Sequence, residues 1–387
     1  MSQQETDTTL VNATAEPSPV DNRGPPDDGV TRTPNGVSVT SKDLVMKVFL
    51  DLDGNYSVNG YAERAANSFG QIYLCLDKGP EYDRQSTQVN AAICSITAAE
   101  SFRLALAETR NVLAGNPTAD IHAISNQVLA SISRLWFDLP DTVNVIAGGI
   151  RVDVQPPPPP RCPGDFTFTS GYIFKPDPDA SPPLAQLGPV LGRMLKDAIL
   201  QYVAALRTAN RLPTGVLSRA VFDAFPSGPD DLIARTIIGV MMGMLPTIDG
   251  NLTATVTTWQ GNGTFATLQQ ALKQRPAAYP YARASTVLVR PLMQAMQAAP
   301  VPDSVWRTAV RQHTLGTDNP VEVKPGDKIT IDLQTATRRD LHAGNTDVFP
   351  VFGGDRSTTP HPTHACPGYE SAIGIMLGVI NGMMEPV

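Results

Sequence analysis

The chain has 387 residues, 42% of them apolar and only 17% charged, with a net charge of −7. That is enough apolar material for a large core. The acidic balance, with no dense Lys/Arg cluster, excludes a protein that grips nucleic acid through a basic face. No positive segment followed by an apolar stretch opens the chain, and the longest apolar run, Thr236 to Leu245, is too short to cross a bilayer. A cytoplasmic protein without a membrane span is expected. Its cysteines, Cys75, Cys94, Cys162 and Cys366, are too few in a chain of this length for a disulfide framework.

Residues 1 to about 40 are rich in Thr, Pro, Asp, Asn and Gly, and this composition predicts a disordered tail. A single domain is expected over residues 41–387. Ala98 to Leu113 carries Phe102, Leu104, Leu106 and Val112 at helical spacing, and Ile121 to Leu139 continues in the same way. The run Pro156–Pro160 reads as a stiff spacer inside a long loop from Gln155 to Pro183. Helices are predicted over Leu187 to Leu206, Ser218 to Phe225, Asp230 to about Gln260, Val287 to Ala298 and Tyr369 to Met384. Two short alternating runs, Val321-Glu-Val and Ile329-Thr-Ile-Asp-Leu, flank the turn sequence Lys324-Pro-Gly-Asp and read as strands. The fold class is mainly α with small β-sheets.

The richest stretch runs from Phe349 to Ala372. A loop of Gly, Pro and Thr enters Cys366, and Pro367 suits the first position of a helix. A thiol at the positive end of a helix is expected to have a lowered pKa, which suits a ligand or a nucleophile. Gly368 allows close approach of a flat partner. Small residues at Ala372, Gly374 and Gly378 let the following helix pack closely on a neighbour. Other readings stay open on these residues: a zinc site of His361, His364 and Cys366, a Cys/His hydrolase, and a ligand role for Cys162, which also precedes Pro-Gly.

The spacing of His364, Cys366, Gly368 and Ala372 resembles the cysteine loop of cytochromes P450. Phe352-Gly353-Gly354 lies farther upstream than usual, as if the loop held an insertion. Plant allene oxide synthases have such an insertion; they rearrange fatty-acid hydroperoxides without outside electrons. Further pieces follow in the family's order. Gly79-Pro-Glu-Tyr-Asp-Arg84 is similar to the segment opening helix C, with Tyr82 in place of a His. Ala299-Pro-Val-Pro-Asp-Ser-Val-Trp-Arg307 is similar to the segment after helix K. Val323-Lys-Pro-Gly-Asp-Lys-Ile and Thr337-Arg-Arg-Asp340 match the strand pair and the motif beyond it. The resemblance implies haem b (iron protoporphyrin IX) with Cys366 as metal ligand. It further implies His364, Arg307 and Arg84 as propionate partners, and Gly368, Ala372, Phe352 and Gly243 around the macrocycle.

The sequence departs from the family in two places. Met293 and Met296 stand where helix K carries Glu-x-x-Arg, a buried ion pair that apolar residues can replace. In the central helix Pro246 precedes Thr247, so the acid that delivers protons with that Thr is missing, and a proline cannot relay a proton. Pro246, Gly239 and Gly243 suggest a distorted helix beside a pocket, and Asp249 and Asn251 stand as further catalytic candidates beside Thr247. Only 21 residues follow Cys366, so the family's terminal hairpin is expected to be absent or supplied by a partner. The expected function is a haem-thiolate oxidoreductase using or rearranging a peroxide, of the lipid hydroperoxide class. The alternatives are a reductase-dependent monooxygenase with an unusual proton relay and a non-catalytic haem-binding sensor or partner subunit. An apolar or lipid substrate is implied, and a redox partner is not settled.

Overall fold

The computed structural model describes residues 29–139, 145–146, 149–150, 164–179, 181–275 and 279–385. The hairpin β1 (Val30–Thr33) and β2 (Gly36–Val39) leads into helix α1 (Lys42–Leu50), strand β3 (Tyr56–Ser57) and helix α2 (Asn59–Ala66). Then come α3 (Pro80–Cys94), α4 (Ala98–Gly115) and α5 (Ile121–Phe137), and the short pair β4 (Val145–Ile146) and β5 (Gly149–Ile150). Helices α6 (Gly164–Phe174), α7 (Pro182–Thr208), α8 (Val216–Ala224), α9 (Asp230–Asn262), α10 (Thr264–Gln274) and α11 (Pro280–Ala298) form the middle of the chain. Strands β6 (Ser304–Ala309), β7 (His313–Leu315), β8 (Val321–Val323) and β9 (Lys328–Asp332) precede α12 (Leu333–His342) and α13 (Tyr369–Met384).

Side-chain caps mark several helix starts. Thr97 accepts the Glu100 N–H at 3.2 Å, Asp120 that of Ala123 at 2.8 Å, and Asp332 that of Thr335 at 2.9 Å; each satisfies a donor with no partner in its own helix. Gly263, at φ 80°, ends α9 in the left-handed conformation that glycine adopts without strain.

Two apolar cores result. The larger is helical, and α9 runs through it, burying Ile233, Ile237, Met241, Leu245, Leu252 and Val256. Among the described helices α9 alone is long and apolar enough to cross a membrane, and most of its apolar stretch is buried inside the protein. Helix α13 lies against α4 along Gly374, Gly378 and Gly382: a Cβ at these positions would sit 2.2 Å from Ala98 O, 2.5 Å from Phe102 O and 2.6 Å from Thr109 Cγ2. The close packing expected from the small residues is therefore present, with Gly382 completing the stripe. The smaller core lies under a five-stranded sheet of order β1-β2-β9-β6-β3, in which only the β2–β9 pair is parallel. It holds Val37, Val39, Val45, Ile329, Ile331 and Leu333.

Several expectations need correction. The predicted tail is too long: residues 1–28 lie outside the described residues, but residues 30–39 form β1 and β2, because Val37 and Val39 fill the sheet core. The loop expected from Gln155 to Pro183 contains α6, held by packing of Phe166 and Ile173 in the helical core. The run Pro156–Pro160 and Cys162 lie outside the described residues. The runs at Val321 and Ile329 are strands but do not pair with each other. β8 pairs with β7, while β9 lies between β2 and β6, because Ile329 and Ile331 must face the larger sheet's core. Helix α9 is continuous across Pro246. Helix α13 spans Tyr369–Met384 as the periodicity predicts, but Pro367 precedes it and does not take its first position.

Candidate functional site

An apolar cavity lies between α9, the loop before α13, and the segment from Val301 through β6, with about 1360 Å³ of open space including its mouth. Phe49, Val58, Leu74, Phe174 and Leu217 supply apolar wall, and among the described residues no Asp or Glu lines it. Helix α9 contributes Gly239, Val240, Gly243, Met244, Thr247, Ile248 and Asn251. A Cβ at position 243 would meet no atom within 4 Å, so the helix is bare there and opens on the cavity.

Cys366 reaches the cavity from a loop folded back on itself. The Cys366 N–H donates to the Phe352 carbonyl at 2.8 Å. Phe352 packs edge-on against Tyr369 at 4.8 Å between centroids. Gly353 and Gly354 have φ of 72° and 119°, conformations that favour glycine. A Cβ on Gly354 would sit 2.5 Å from Pro362 Cγ, so the two arms of the loop close tightly and residues 355–361 bulge outward. Arg356, which the sequence reading missed, ties the bulge back by donating to the Ala365 carbonyl at 2.7 Å.

Burial pushes the Cys366 thiol up to about 11, against the Gly368 N–H and the Arg356 charge, which favour the thiolate. The expected lowering by the helix end does not prevail. Desolvation in the apolar surroundings outweighs one N–H at the start of α13. The cavity face of Cys366 stays accessible all the same.

His364 and Arg307 line the same cavity. His364 is held down to about 3, first by burial and then by the Arg307 charge, although its ring donates to the Leu76 carbonyl. Tyr82 packs edge-on against it at 5.2 Å and donates to the Thr363 carbonyl at 2.6 Å. Arg307 Nη1 donates to the Tyr61 hydroxyl at 3.0 Å and to the Trp306 carbonyl at 2.7 Å. Among the described residues no carboxylate forms an ion pair with Arg307. Tyr61 is buried and also donates to Trp306 O at 2.6 Å; no motif marks it in the sequence.

The structure thus gathers Gly243, Thr247, Asn251, Arg307, Phe352, His364, Cys366, Gly368 and Ala372 around one cavity. Two candidates are not brought there. Arg84 is exposed on α3 and paired with Glu81 at 2.6 Å, because the register of α3 turns it outward while Tyr82 points inward. Asp249 is buried on the opposite side of α9, facing Ser125 and His122 of α5; two residues along a helix from Thr247 is over half a turn. Two other candidates have their polar atoms engaged. Thr247 Oγ1 donates to Gly243 O at 2.7 Å. Asn251 Nδ2 donates to the carbonyls of Thr247 at 2.8 Å and Val301 at 2.9 Å. The zinc reading also fails on geometry: His361 is exposed with Nδ1 at the Thr358 carbonyl, and no cluster of three metal-ligating side chains exists among the described residues.

No protein-family profile matches the sequence, and no curated protein matches it. Solved structures do. The LnmZ cytochrome P450 hydroxylase of the leinamycin pathway of Streptomyces atroolivaceus is similar at 17% identity and a TM-score of 0.60, over 95% of this chain and 94% of that one. CYP164A2 of Mycobacterium smegmatis is similar at 17% identity and a TM-score of 0.64, over 92% and 85% of the two chains. CYP109E1 of Bacillus megaterium, solved with testosterone, is similar at 14% identity and a TM-score of 0.62, over 91% and 85%. With α9 at its centre and the Cys366 loop entering α13 beside it, this chain has the cytochrome P450 fold.

Proposed function

We propose that this protein is a haem-thiolate oxidoreductase that binds haem b through Cys366 and works on a peroxide, of the lipid hydroperoxide class. The observation that carries the reading is the placement of the Cys366 thiol in the same apolar cavity as bare Gly243 and the Arg307 guanidinium. The residues present fit the group. A soft sulfur ligand is available. The wall beside it is free of side chains at Gly243 and Gly368. Arg307 has no carboxylate partner among the described residues, which suits a propionate, and His364 lines the same cavity.

In this reading Cys366 would ligate the iron and Arg307 would hold a propionate, with His364 lining the same cavity. Tyr61 fixes the Arg307 guanidinium, and Arg356 holds the ligand loop through Ala365. When bound, haem would supply O–O bond cleavage, which a thiolate ligand favours. Helix α9 supplies no acid to the cavity, since Asp249 faces α5 and the Thr247 hydroxyl is bonded back into its own helix. Chemistry that needs delivered protons and outside electrons is poorly served here. A peroxide brings an O–O bond that is already reduced, and the apolar wall suits a lipid chain.

The test begins with the full chain purified with haem, wild type and Cys366→Ala, and the reduced carbon-monoxide spectrum of each. A red-shifted thiolate band lost in the variant is expected. Absence of haem, or a histidine-type band in both, overturns the proposal. Turnover of a fatty-acid hydroperoxide without reductase then supports the peroxide reading. Turnover only with reduced ferredoxin and dioxygen replaces it with a monooxygenase, and ligand spectra without any turnover replace it with a sensor or partner subunit.

A further inference from the structure

We infer that Tyr73 is a cofactor-binding residue: its unspent phenolic O–H stands where α9 and the Cys366 loop face each other and would donate to the haem carboxylate that Arg307 does not hold. The inference deepens the function proposed above and rests on haem being the group that Cys366 binds.

Tyr73 opens a single 3-10 turn, Tyr73–Cys75, which no motif marks in the sequence. The turn is fastened to both walls of the cavity. On one side Ile72 fills the notch that Gly239 leaves in α9, where a Cβ would collide with Ile72 Cδ1. On the other side His364 of the ligand loop donates a ring N–H to the Leu76 carbonyl. The Leu76 N–H then closes the turn on the Tyr73 carbonyl at 3.0 Å. Residues 72–76 therefore bridge the gap between α9 and the loop, with Tyr73 inside that bridge. Aromatic packing holds its ring: Tyr82 lies edge-on to Tyr73 at 6.2 Å between centroids and edge-on to His364 at 5.2 Å. Tyr73 is only 2% exposed and lines the cavity. Its hydroxyl makes no hydrogen bond to a described residue, and its oxygen stays open to the cavity.

Haem b carries two propionates, and a carboxylate without a donor against an apolar wall is costly. Among the described residues Arg307 is the one Lys or Arg that lines the cavity. The other polar side chains of the wall are mostly spent. His364 gives a ring N–H to Leu76, and Tyr61, Thr247, Asn251 and Ser371 donate to backbone carbonyls. The Tyr73 O–H and the Trp136 N–H are the wall donors without a partner among the described residues. Of these two, Tyr73 is the one tied to both α9 and the ligand loop, so its phenol meets the edge of a flat group lying between them. A phenol gives a carboxylate one short, charge-assisted hydrogen bond and adds no charge to the wall.

The test compares wild type, Tyr73→Phe and Trp136→Phe as full chains. Phenylalanine keeps the ring that packs on Tyr82, so the haem-free Tyr73→Phe chain should unfold at the wild-type temperature. Once loaded, it should lose haem to apomyoglobin about 10-fold faster or more, the effect of one hydrogen bond to a charged group. Its propionate-bending bands in the resonance Raman spectrum should shift from those of wild type. With the iron porphyrin dimethyl ester, whose carboxylates are capped, the difference between wild type and Tyr73→Phe should collapse. Equal haem loss from the two, unshifted bands, or a difference that persists with the ester overturns the inference and leaves the haem reading standing. So does a shift of the bands in Trp136→Phe but not in Tyr73→Phe, or a haem-free Tyr73→Phe chain that melts below wild type, which would show the hydroxyl bonded inside the protein. A wild-type chain that binds no haem overturns both.

Discussion

Asn251 holds Val301 at both ends of its amide: Nδ2 donates to the Val301 carbonyl at 2.9 Å and Oδ1 accepts the Val301 N–H at 3.2 Å. A side chain on the central helix thus completes the backbone pairing of the segment that leads into β6 and Arg307. Gly250 helps, since a Cβ there would sit 2.7 Å from Val301 Cγ1. Replacing Asn251 by Leu leaves two partly buried backbone groups unpaired, at about 1–3 kcal/mol each. The expected outcome is a lower denaturant midpoint, together with weaker haem retention as the Arg307 strand loosens. Unchanged stability would show that water takes over both bonds.

The two arginines proposed from sequence should separate in one experiment. Arg307→Met removes the cation from the cavity and should increase haem loss to an acceptor such as apomyoglobin. Arg84→Met removes an exposed ion pair with Glu81, which solvent screens, and should leave haem loss unchanged. Equal effects would mean that α3 sits in a different register.

The α4–α13 contact should be intolerant of side chains. Gly378→Val places carbon where Phe102 O and Leu106 N already sit within 3.0 Å, so destabilisation of about 1–3 kcal/mol or more is expected. Gly261→Ala is the control. Its Cβ would meet nothing within 4 Å, and relief of glycine's backbone freedom in a helix should stabilise by about 0.5–1 kcal/mol. Thermal unfolding of both variants checks the pair.

Asp249 should make stability depend on pH. Burial raises its pKa above 3.8, opposed by Ser125 and His122. A group whose folded pKa is raised contributes stability that is present below its unfolded pKa and lost as pH rises through the folded value. Asp249→Asn removes the penalty of the charged form. The variant should therefore melt above wild type at pH 8, and the gap should close as pH falls toward 3.8. A gap that persists or widens at low pH would contradict the burial of a titrating carboxyl.

Much of the helical frame was legible before any coordinates. The boundaries of α13 and the start of α9 follow from apolar periodicity and from Pro and Gly punctuation, which act over a few residues. Cys366 stood out because loop chemistry, Pro367 and Gly368 surround it locally. The hairpin at residues 30–39 was hidden, since a polar alternating run becomes a strand only once Ile329 and Ile331 are beside it. The same holds for the separation of β8 from β9.

The sequence by itself determined the fold class, the cysteine that lines the cavity and the proline before Thr247. Those depend on residue type and on spacing along one element. Only the tertiary structure decided that Asp249 turns to α5, that Arg84 faces water and that Tyr61 seats Arg307. These facts depend on the rotation of each helix about its axis and on which distant segments meet. Both are set by the packing of the whole core, and no stretch of sequence contains that information alone.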